Sequence, residues 1–183
     1  MRKAAVGFRV HSGWSAVVAV CLEKGAPVVL QRQRVQLVDT FTYRFRQPYH
    51  TGEKMALPAA REFIVGVREK GRDLAYRAIR DLQVQLEERG YQLTRGALLL
   101  ASGKPLPELE KILASHALIH AADGELFREC LLHASARCGL PSTRNSRISR
   151  PSLASSAVGL SSATSAPSWM IATRSHRRCA SSR

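Results

Sequence analysis

Three side chains in the stretch "SHALIHAAD" have the types and spacing that metal chemistry asks for. His116, His120 and Asp123 stand four and three residues apart, so on a helix all three project from one face. Two neutral imidazoles and a carboxylate can supply three ligands to zinc or another transition metal and leave a fourth position for water. Glu125, two residues further on, would then act as a base, and the chain would be a metal-dependent nuclease or hydrolase. The HExxH order that marks many zinc hydrolases is absent. The same pattern also fits a polar helix face whose histidines make ordinary hydrogen bonds, with Asp123 and Gly124 ending one helix and opening the next.

A second constellation is built from cations and rings. Arg32, Arg34, Arg44 and Arg46 are interleaved with Phe41, Tyr43, Phe45 and Tyr49 in and before "FTYRFRQPYH". Cations of this kind meet phosphates, and rings such as Tyr43 and Phe45 offer planes on which bases stack, so these residues form a candidate nucleic-acid contact. The plainer alternative is a strand edge and loop whose aromatics pack inward while the arginines stay solvated. "SGKP" follows a strand but is no phosphate loop, because Leu98 and Pro105 stand where that loop needs glycine and Ser or Thr.

Composition divides the chain. Of its 183 residues, 45% are apolar and the formal net charge is +14, which suits a globular protein with an affinity for anions. Residues 1–141 mix basic and acidic side chains, whereas 142–183 contain seven arginines, thirteen serines and no acid. Such a segment reads as a disordered tail. It is a phosphate-binding arm, a linker without a partner, or the translation of a shifted reading frame. Cys21, Cys130, Cys138 and Cys179 lack the close spacing of a redox or zinc pair and read as reduced thiols. The basic start of the chain and the apolar run up to Cys21 imitate a signal peptide, but Arg9 and His11 interrupt it. A cytoplasmic protein without a membrane anchor is expected.

The elements that must position these residues follow from periodicity. Residues 4–10 and 14–21 are β-rich and flank "HSG", a turn in which Gly13 is free to take positive φ. After a turn at "EKGAP", the run from Val28 to Asp39 alternates, placing Arg32, Arg34 and Gln36 on one face of a third strand. From Leu57 to Arg89 the period becomes helical, with Pro58 in the first turn and Gly90 as the cap. Gly66 and Gly71 mark a bend or a close approach of another helix, and the apolar spacing there also permits a dimer. Residues 96–102 read as a short buried strand, and 107–141 as one or two helices.

The order βββαβα predicts an α/β domain over 1–141. Its three antiparallel strands, long helix, buried parallel strand and following helix resemble the ribonuclease H-like fold of RuvC-type resolvases. The opening "AVGFRVHSGWSAVVAV" is similar to the strand, glycine turn and strand of that class. The resemblance implies carboxylates that hold two divalent metals, one shortly after a glycine in the first strand and another at the end of the buried strand. Here Gly7 is followed by Phe8 and Arg9, and the second place offers Ser102, Gly103 and Lys104. The expectation is therefore a ribonuclease H-like domain without nuclease chemistry, which binds nucleic acid noncatalytically or serves as a dimerisation module. A further strand is expected after "CGLP", where the composition instead changes, so the fold reads as incomplete.

Overall fold

The computed structural model describes residues 1–99 and 105–145. Strands β1 (Arg2–His11), β2 (Trp14–Glu23) and β3 (Ala26–Gln36) form an antiparallel meander. Its first turn has Gly13 at φ 78°, and its second has Lys24 and Gly25 at positive φ. Two short helices, α1 (Tyr43–Arg46) and α2 (Pro48–Gly52), lead to the long helix α3 (Leu57–Glu88). Strand β4 (Tyr91–Leu99) lies parallel to β1, and α4 (Leu109–Leu113) and α5 (His116–Arg137) follow. The last described element is β5 (Ser142–Asn145), parallel to β4, so the sheet order is β3-β2-β1-β4-β5. No helix is long and apolar enough to cross a membrane among the described residues.

The α/β class, the three-stranded start, the long helix and the parallel strand are as the periodicity predicts, although that strand is buried on one face only, since Arg95, Ala97 and Leu99 are exposed. Four details differ. "FTYRFRQPYH" is two short helices rather than strand edge and loop, since Pro48 supplies a first helical turn that strand pairing cannot use. Strand β4 begins at Tyr91, earlier than the apolar run, because its first half alternates between buried Tyr91 and Leu93 and exposed Gln92. Asp123 and Gly124 do not end a helix; α5 runs through them. A strand does follow "CGLP", inside the serine-rich segment. It is held by parallel pairing from Gly96↔Ser142 onward and by the Gly96 amide donating to the Pro141 carbonyl at 3.0 Å. A Cβ on Gly96 would stand 2.7 Å from the Ser142 Oγ, so glycine makes room for β5. The rest of the tail, with Cys179, lies outside the described residues, as do Ser102, Gly103 and Lys104.

Alternation along the strands decides what the sheet covers. Ala4, Val6 and Phe8 of β1, Val17, Ala19 and Cys21 of β2, and Leu93 and Leu98 of β4 all face the helices and are buried. Against them lie Ile64, Ile79, Leu82 and Leu86 of α3 and Ile119, Phe127 and Leu131 of α5. Full burial of one such side chain contributes about 1.5–3 kcal/mol. The helices themselves meet at Gly71, where an added Cβ would lie 2.9 Å from Cys130 Sγ and 3.2 Å from the Leu37 carbonyl oxygen. Beside it, Arg72 donates to Glu129 at 3.0 Å, joining α3 to α5. Gly71 thus serves close helix packing within this chain, while Gly66 faces open space.

Candidate functional site

The opposite face of the sheet carries no helix among the described residues. Cross-strand register places Ala5, Gly7 and Arg9 of β1 beside Val20, Val18 and Ala16 of β2, and Arg32 and Arg34 of β3 pair with those same Val18 and Ala16 positions. On the other side Ala5 pairs with Arg95, Gly7 with Ala97 and Lys3 with Gln92. The small residues in the middle form a shallow trough of about 400 Å³, lined by Gly7, Arg9, Ala16, Val18, Ala97 and Leu99 among others. Around it Lys3, Arg9, Arg32, Arg34 and Arg95 are exposed, and among the described residues no strand position on this face is acidic.

At the end of the sheet near the β1–β2 turn, cations and rings stack into a column. His11 lies on Trp14 with centroids 4.1 Å apart and planes 7° from parallel. Arg34 sits 4.3 Å over Trp14 and 4.9 Å from Phe41, and Arg46 caps Phe41 at 4.7 Å. Exposed contacts of this type are worth about 0.5–1 kcal/mol each. Of the residues singled out in sequence for nucleic-acid contact, Arg32, Arg34 and Arg46 therefore reach the open face or this column. Arg44 instead lies 4.9 Å over Phe63, and Phe45 packs on Phe63 at 5.9 Å against the core. Tyr43 is exposed and turns its ring edge to His50 at 6.4 Å.

The histidine pair of α5 acquires a partner that the sequence pattern does not contain. His116 and His120 meet with their Nε2 atoms 3.1 Å apart, and His50 of α2 joins them, its ring centroid 4.4 Å from that of His120 and 5.5 Å from that of His116. One ligand atom from each of the three lies within 4.8 Å of the others. Asp123, expected beside the two histidines as a third ligand, stands behind His50 instead. Its Oδ2 is 2.5 Å from His50 Nδ1, and its Oδ1 accepts the Tyr49 backbone N–H at 2.8 Å. The reason is geometric: one turn further along α5, Asp123 is buried and points under α2, while His116 and His120 remain exposed. Burial raises the carboxyl of Asp123 above its ordinary range, against the hydrogen bonds from His50 and Tyr49 that lower it. Glu125 takes no part in the cluster and pairs with Arg128 at 3.4 Å.

Sequence reasoning missed His50 because a five-residue helix shows no periodicity; Pro48 opening a helical turn was its one local signal. Comparison with known proteins returned no match to a family model, a curated protein or a solved structure.

Proposed function

We propose that this chain is a ribonuclease H-like domain that binds single-stranded nucleic acid without cutting it, using the open face of its sheet. The observation that carries the reading is the set Lys3, Arg9, Arg32, Arg34 and Arg95 on one exposed face with no carboxylate among them. Cations spread over a broad surface attract a polyanion rather than a single small anion, and each neutralised phosphate releases counterions. The exposed ring of Phe41, held beside Arg34 at the end of this surface, adds a place for a base to stack.

The ribonuclease H-like assignment is supported by the three antiparallel strands, the long helix and the parallel return of β4 beside β1. The reading without cutting is supported by the first strand, where Arg9 occupies the neighbourhood in which the two-metal chemistry of ribonuclease H-like nucleases needs an acid.

Binding of a labelled single-stranded oligonucleotide to the full chain, followed by anisotropy, tests the reading. If about five phosphates are neutralised, log affinity falls with log salt at a slope of about −3.5. Arg9→Glu with Arg95→Glu, neither of which makes an ion pair among the described residues, lowers affinity at least tenfold. The arginine-rich tail is unchanged in that variant, so unaltered affinity would remove the sheet face as the binding surface. Tighter binding to duplex than to single strand would overturn the single-strand reading.

A further inference from the structure

We infer that His50, His116 and His120 hold one borderline divalent cation of the zinc class, and that Asp123 is the residue that positions His50 for it. The ligand set differs from the one the spacing along α5 suggests, and it rests on tertiary geometry. In a tetrahedral zinc site with bonds of about 2.0–2.1 Å, ligand nitrogens lie roughly 3.4 Å apart. The His116 and His120 nitrogens are 3.1 Å apart and all three ligand atoms fall within 4.8 Å, so small rotations of exposed rings bring them onto one ion.

The tautomer of His50 is the second argument. Asp123 engages its Nδ1, and with the proton held there Nε2 is the nitrogen left for an ion shared with His116 and His120, whose ring centroids lie 5.5 and 4.4 Å from that of His50. A carboxylate behind a histidine is the support that metal-ligating imidazoles repeatedly receive, because it sets ring orientation and raises basicity. Here that carboxylate is itself 4% exposed and anchored by the Tyr49 N–H, so it cannot swing away to serve as a ligand. A set of three imidazoles selects zinc, cobalt, nickel or copper over magnesium or calcium. They also leave a coordination position, and the exposure of His116 and His120 lets water fill it. Such an ion is a Lewis acid with an open site, distinct in place and in ligand chemistry from the carboxylate-held metals of ribonuclease H-like nucleases.

The experiment is a titration of untagged, chelator-stripped full-length protein with Co²⁺, read by visible absorption, and with Zn²⁺, read by calorimetry. One equivalent binds, and cobalt gives the intense bands of a four-coordinate site. His116→Ala and His120→Ala, both at exposed positions, each abolish the bands while far-ultraviolet circular dichroism is unchanged. Asp123→Asn, which keeps the shape of the side chain, weakens zinc binding about 10–100-fold without changing the stoichiometry. Failure of the native protein to bind either ion, or cobalt bands that survive in His120→Ala, would overturn the assignment. A full-strength Asp123→Asn site would overturn the positioning role.

Discussion

The two faces of the sheet are made by alternate residues of the same strands, yet they obey different rules. Phe8 faces the helices and is 3% exposed, while its neighbours Gly7 and Arg9 belong to the other side. On the covered face shape decides everything: Gly71 admits Cys130, and Phe127 is fully buried in the core. On the open face the side chains are small or cationic, and what matters is their charge. A strand that alternates in this way encodes a core and a surface at once, and the two are free to answer to separate demands.

Substitutions sharpen that contrast. The largest effect is expected from Phe127→Ala, which should cost about 3–5 kcal/mol in chemical denaturation because the cavity it leaves lies under fully buried neighbours. A loss below 1 kcal/mol would mean the helix layer is loosely packed. Gly71→Ala comes next, at about 1–3 kcal/mol, since the new Cβ would press on Cys130 and on the backbone of Leu37. At the other end stands Val18→Thr on the open face, for which a change within about 0.5 kcal/mol is expected. A cost as large as that of Gly71→Ala would show that something covers the trough in solution, and the contrast between the faces would fail.

Much of this fold was legible in advance because its two main periods are strong. Residues 4–10 and 14–21 announce strands by their β-rich composition, and Ile64, Val67, Leu82 and Leu86 announce a helix by its turns, although between them the buried face runs through Ala75 and Ile79 rather than the expected Leu74 and Ala78. A strand after "CGLP" was expected from the order of elements, but composition argued against Ser142–Asn145, which is polar and short; its place is set by backbone pairing to β4, which leaves no mark in composition. The site divides in the same way. The spacing of His116, His120 and Asp123 suggested three ligands on one helical face, but which of them meet depends on what packs over that face, and Asp123 meets His50 instead. Spacing along one helix carries no information about α2, so neither His50 nor the supporting place of Asp123 could be read from it.

The bond between Asp123 and His50 spans 73 residues of sequence, and one of its ends lies on a helix too short to persist by itself. Nucleating a turn is unfavourable, and five residues cannot recover the cost without outside help. Helix α2 therefore exists as a dependency of α5: Asp123 takes the backbone N–H of Tyr49 and the ring of His50, fixing two successive residues with a single carboxylate. The three histidines accordingly come together only where α2 is docked on α5, which makes their proximity a signature of the finished tertiary structure.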